Sequence, residues 1–164
     1  MRCVAENLRD MGACISPFNS WLMLQGLETL SIRVNKMCEA AMEIAKWLEK
    51  NPKIYDVSYL GLENHPYHKL AKKYLRNGFG AVLTFRVKGG LQETVRFVEK
   101  LEIISHLTNI GDVRTLITHP ASTTHRQMSE EAQIAAGVYP DLLRLSMGLE
   151  HLDDIKADIE QALE

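Results

Sequence analysis

Apolar and polar positions along this chain follow two periods. The first third has a helical period. Leu27, Leu30, Val34, Met37, Ala41, Ile44 and Leu48 recur three and four apart, which makes one apolar stripe. The stripe predicts a long helix that starts at Pro17, where a missing N–H costs nothing, behind Ser16 as cap. Gly26 is the expected bend, and Asn51-Pro52 the stop. A shorter helix is expected over Arg2–Met11, with Val4, Leu8 and Met11 on one side and Gly12 as its end. Trp21 and Trp47 are expected on the buried side of this region.

Further along, the two periods interleave. Short runs rich in apolar residues predict strands at Ile54–Leu60, Ala81–Val87, Ile103–Thr108, Thr115–Thr118 and Leu142–Met147. Between them, helices are predicted at Tyr67–Leu75, Leu91–Leu101 and Glu130–Ala136, the last capped by Ser129 and ended by Gly137. Leu152, Ile155, Ile159 and Leu163 predict a closing amphipathic helix, with Asp153 and Asp154 in its first turn, where the dipole favours negative charge. Several connections are too short for parallel crossovers. The expected fold class is therefore α+β, a mostly antiparallel or mixed sheet with helices on one face, preceded by a long helix. Residues 1–50 are expected as connecting helices and 51–164 as an α/β sandwich domain. The chain opens on what reads as the middle of a helix, so a piece of a longer protein is expected.

Composition narrows the function classes. The chain has 164 residues, 46% hydrophobic and 24% charged, with a net charge of −2. That is an ordinary globular composition and argues against a nucleic-acid partner. No apolar run is long enough to cross a bilayer, so no membrane role is expected. Cys3, Cys14 and Cys38 show no metal spacing and read as reduced thiols, which fits a cytoplasmic location. His65 and His68 are three apart but have a proline between them and no third ligand, so no metal site is expected. Lys72-Lys73 reads as solvated charge, and the glycines around FGAV and KGG as plain turns.

Arg144 differs from these. It lies inside an apolar strand pattern, where an unpaired charge is costly. Its planar fork of donors matches a carboxylate bidentately. Asn109 can donate an amide N–H to the same oxygens, and Thr124 can accept from the guanidinium or donate to the anion. The residues alone leave two readings open: a bound ligand carboxylate, or a structural ion pair with an Asp or Glu.

Four stretches carry a resemblance. They are ISPFNSWLMLQGLETLSIRV (Ile15–Val34), GFGAVLTFRVKGG (Gly78–Gly90), NIGDVRTLITHPASTTH (Asn109–His125) and LLRLSMGLEHLDDIKADIEQAL (Leu142–Leu163). In that order they resemble the C-terminal part of the Cys/Met-metabolism pyridoxal-phosphate enzymes of fold type I, most of all the O-acetylhomoserine sulfhydrylase branch. The resemblance implies that the arginine of RLSMGLE, Arg144, grips the substrate α-carboxylate, with Asn109 and Thr124 in the same pocket. Asn109-Ile110-Gly111 stands where γ-lyases and cystathionine enzymes typically carry Ser-Leu-Gly. The implied reaction is replacement of the acetate of O-acetylhomoserine by sulfide or a thiol, in a cytoplasmic homotetramer. The implied cofactor is pyridoxal phosphate. Its Schiff-base lysine sits in a Ser-x-Thr-Lys stretch that nothing here matches, so catalytic and cofactor-binding residues are expected outside this chain and the chain alone is expected to be inactive. A methionine γ-lyase, a cystathionine γ-synthase or a non-catalytic module remain as alternatives.

Overall fold

Five strands, most of them separated by helices, pair into one sheet in a computed structural model, which describes residues 3–12 and 14–164. By its internal contacts the chain divides into two units, 1–32 and 33–164.

In the first unit a wide helical turn over Cys3–Leu8 continues into α1 (Arg9–Met11), and Gly12 ends it in the left-handed region at φ 66°. Arg2, the expected start, lies outside the described residues. α2 (Pro17–Glu28) starts as the sequence predicts: Pro17 is its first residue, and Ser16 Oγ accepts from Asn19 N–H at 3.2 Å. The long helix is interrupted, but not at Gly26. The break falls at Thr29, a β-branched residue at φ −105°, ψ 2°. α2 has no buried residue, and Trp21 is 54% exposed rather than in a core. Its apolar side chains lie all around the helix, so no single face is committed to an interior.

α3 spans Leu30–Leu48, and the division between the two contact units falls within it. Val34 is exposed, whereas Met37, Ala41, Ile44 and Leu48 are buried. Trp47 packs against the core as expected.

The second unit contains β1 (Ile54–Ser58), α4 (His68–Tyr74), β2 (Val82–Val87), α5 (Gly90–Lys100), β3 (Ser105–His106), β4 (Leu116–Thr118), a 3-10 turn at Pro120–Ser122, α6 (Glu130–Ala135), β5 (Leu142–Ser146) and α7 (Leu152–Leu163). The sheet order is β1-β2-β5-β4-β3. Three pairings are antiparallel and β3–β4 is parallel, so the sheet is mixed. Leu83, Phe85, Val87, Leu143, Leu145 and Ile117 join one hydrophobic core with α3, α5 and α7, which contribute Ile44, Phe97 and Ile155 among others. Alternation along each strand then sends Thr84, Arg86, Arg144, Ser146 and Thr118 to the opposite face.

β3 is much shorter than Ile103–Thr108. Asp158 of α7 takes the N–H groups of Glu102, Ile103 and Ile104 at 2.8, 3.0 and 2.9 Å, so this backbone is committed before it can join a ladder. Ser129 caps α6 by accepting from Ala132 N–H, as its sequence predicts. The three cysteines are free thiols. No helix among the described residues is long and apolar enough to cross a membrane.

Candidate functional site

The site lies on the sheet face turned away from the helical core. Two ladder pairings place Thr84 and Thr118 on either side of Arg144, in one row across β2, β5 and β4. Arg144 Nη2 donates to the Thr108 carbonyl and, at 3.4 Å, to Thr118 Oγ1. Thr118 is buried, and its hydroxyl donates in turn to the Leu107 carbonyl at 2.8 Å. The head group is thus held from one side by two neutral acceptors. Arg144 Nε is buried and has no hydrogen-bond partner. A buried guanidinium N–H without an acceptor is costly, and a carboxylate oxygen would remove that cost.

A second arginine on the same face provides the contrast. Arg86 donates from Nε and Nη2 to the two oxygens of Asp141 at 2.7 and 3.0 Å. Its guanidinium lies over the rings of Tyr55 and Tyr139, 4.6 and 4.4 Å from their centroids. The Asp141 carboxylate raises the Arg86 pKa above its ordinary value. Burial raises the Asp56 carboxyl, and the charge of Arg86 opposes that rise. Arg86 therefore has the structural ion pair that remained a possibility for Arg144. Among the described residues no carboxylate lies within ion-pair distance of Arg144.

Asn109 follows Thr108 directly and is exposed in the loop between β3 and β4. The same loop is tied back to β5 by Gly111 N–H, which donates to Ser146 Oγ at 3.4 Å. Thr124 is exposed after the 3-10 turn, and its hydroxyl pairs with His125 Nδ1 at 2.9 Å. Thr118, not Thr124, is the threonine hydrogen-bonded to the guanidinium. It was missed in the sequence because a threonine in a β-branched run reads as an ordinary strand residue. Asp141, the acid paired with Arg86, carries no spacing or motif in the sequence that marks it.

Other polar groups are occupied structurally. His119 is buried, with Nε2 against the Pro140 carbonyl at 2.8 Å and Nδ1 against Ser122 Oγ at 2.7 Å. A carbonyl only accepts, so Nε2 carries a proton and donates it to Pro140. His65 and His68 are engaged with Ser58 and with the Leu60 carbonyl.

Comparison with known proteins adds the context of this site. Residues 2–164 match the family described as Cys/Met metabolism PLP-dependent enzyme. Homocysteine synthase from Schizosaccharomyces pombe is 53% identical over 99% of this chain and 38% of its own length. O-acetyl-L-homoserine sulfhydrylase 1 from Thermus thermophilus is 49% identical over 96% of this chain and 38% of its own. The crystal structure of a putative O-acetylhomoserine (thiol)-lyase from Campylobacter jejuni superposes with a TM-score of 0.89 at 42% identity, covering 99% of this chain and 38% of that one. That structure carries N'-pyridoxyl-lysine-5'-monophosphate. This chain thus spans about two-fifths of the length of the curated relatives it matches.

Proposed function

This chain belongs to the Cys/Met metabolism PLP-dependent enzyme family, and we propose that it is the C-terminal, substrate-carboxylate-binding domain of an O-acetylhomoserine sulfhydrylase. The whole enzyme, a homotetramer in this reading, replaces the acetate of O-acetylhomoserine with sulfide or a thiol to give homocysteine or methionine. The observation that supports this most is the buried, unpartnered Nε of Arg144, on a face where the neighbouring Arg86 has its own acid.

The α-carboxylate enters beside Arg144 and is received by its guanidinium. Asn109 donates its amide N–H to the same group, and Thr124 completes the pocket rim. These contacts fix the orientation of the substrate and leave bond-making to other groups.

The described residues do not suit pyridoxal phosphate itself. No lysine among them is buried, and an amine that forms an imine is normally desolvated or set beside another cation. Cofactor attachment therefore belongs to the rest of the enzyme, and the chain alone is inactive. In the enzyme that contains this chain, Arg144→Lys raises KM for O-acetylhomoserine by roughly tenfold or more, because a point charge replaces a bidentate fork. An unchanged KM overturns the reading. The same grip would serve a γ-lyase or a cystathionine γ-synthase. Sulfide incorporation against α-ketobutyrate release separates these, and Asn109 favours the sulfhydrylase.

A further inference from the structure

The hydrogen bonds around Thr115 reach beyond the strand they begin. Thr115 is fully buried just ahead of β4. Its N–H donates to Glu150 Oε1 at 2.7 Å, and its hydroxyl donates to Oε2 at 2.7 Å. The same hydroxyl accepts from Gly148 N–H at 2.9 Å, and the Thr115 carbonyl accepts from Ser105 N–H at 3.2 Å. Leu149 N–H donates to the Val113 carbonyl at 2.8 Å. The approach at Gly148 is so close that a Cβ there would lie 2.4 Å from the Arg114 carbonyl carbon and 2.5 Å from Thr115 N.

These contacts join the segment leaving β5 to the segment entering β4. β4 has three residues, and its ladder with β5 runs only from Leu116 to Thr118. The register of that short ladder decides what Arg144 meets. It sets Thr118 opposite Arg144 and Ile117 in the core. A slip of one residue would turn Thr118 to the other face and pull the Leu107–Thr108 carbonyls away from the guanidinium.

We infer that Thr115 and Glu150 are positioning residues for the Arg144 grip. Their latch pins β4 to β5, and through β4 it sets Thr118 and the Thr108 carbonyl that aim the guanidinium. This rests on the reading of Arg144 as the receptor of the substrate carboxylate. Glu150 never meets the substrate; its two oxygens are used by Thr115.

The test is steady-state kinetics of the whole enzyme with Thr115→Val, which keeps shape and removes the hydroxyl, and Thr115→Ser, which keeps the hydroxyl. Thr115→Val is expected to raise KM for the amino-acid substrate about tenfold with kcat within about twofold, and Thr115→Ser to stay near wild type. In an Arg144→Lys background Thr115→Val adds less than about twofold, because the geometry it protects is already gone. An equal factor in both backgrounds, or a loss in kcat with KM unchanged, overturns the inference. If Thr115→Val does not accumulate as folded enzyme, Glu150→Gln replaces it under the same criteria. Hydrogen exchange separates this failure from failure of the carboxylate reading. Thr115→Val should speed exchange at the Leu107 amide, which bonds to the Ile117 carbonyl. Unchanged exchange there overturns the latch, whereas an unchanged KM in Arg144→Lys alone overturns the carboxylate reading.

Discussion

Two arginines on one sheet face show how far residue type alone determines role. Arg86 has a bidentate acid and two aromatic rings; Arg144 has two neutral oxygens and a buried Nε without a partner. Arg144→Ala in the whole enzyme is expected to lower kcat/KM by about 100-fold, near 3 kcal/mol, the scale of a lost charge-assisted pair. Asp141→Ala is expected to cost stability and leave KM near wild type, read by urea titration alongside kinetics. Tyr59 belongs to the same scale. Its hydroxyl is buried and donates to the Gly80 carbonyl at 2.9 Å. Burial, with Cys38 as a smaller cause, pushes its pKa from 10.0 up to about 12. The folded state therefore favours the neutral phenol. Stability is complete below the unfolded value near 10 and falls as pH rises from there through about 12. Urea midpoints at neutral and alkaline pH should show this loss in the wild type and not in Tyr59→Phe. Arg144 was legible in the sequence because a charge interrupts an apolar run. Its partner Thr118 was not, because nothing in a threonine's identity says which strand will lie opposite.

At the scale of elements, periodicity marked where the helices and strands lie, and long-range hydrogen bonds decided their ends. β3 is short because Asp158, far along the chain in α7, takes the backbone donors just before it. Asp158→Ala leaves those donors unpaired and should destabilise the fold by roughly 3 kcal/mol, measured as a shift in the urea midpoint. The break at Thr29 rather than Gly26 shows a limit of glycine as a signal: in an exposed helix it is tolerated at a cost of only about 1 kcal/mol. The strand order β1-β2-β5-β4-β3 was not legible at all, because it depends on partners separated by whole elements. Gly148 lies inside RLSMGLE, but residue spacing gives no reason for a glycine there; Gly148→Ala should cost about 1–3 kcal/mol, because backbone atoms stand where its Cβ would go.

The molecule as a whole has two units with different interiors. The second has a continuous core built from its sheet and helices. The first buries nothing in α2, where Phe18, Trp21, Met23 and Leu24 are all more than half exposed. Apolar surface of this kind invites association. Light scattering of the isolated chain should show a mass that rises with concentration, and a monodisperse monomer at high concentration counts against this. Mixed with pyridoxal phosphate and borohydride, the isolated chain should yield no stoichiometric adduct at any single lysine. The uneven interiors also determine how the chain comes apart. A helix without a core is held by little more than its own backbone bonds, and it opens far more often than a packed sheet. Sparing amounts of protease should therefore cut ahead of Arg33 first and leave a resistant remnant that ends at Glu164, still carrying Arg144 and its latch. The helix carrying Phe18, Trp21, Met23 and Leu24 would be the first part of the molecule to be digested away.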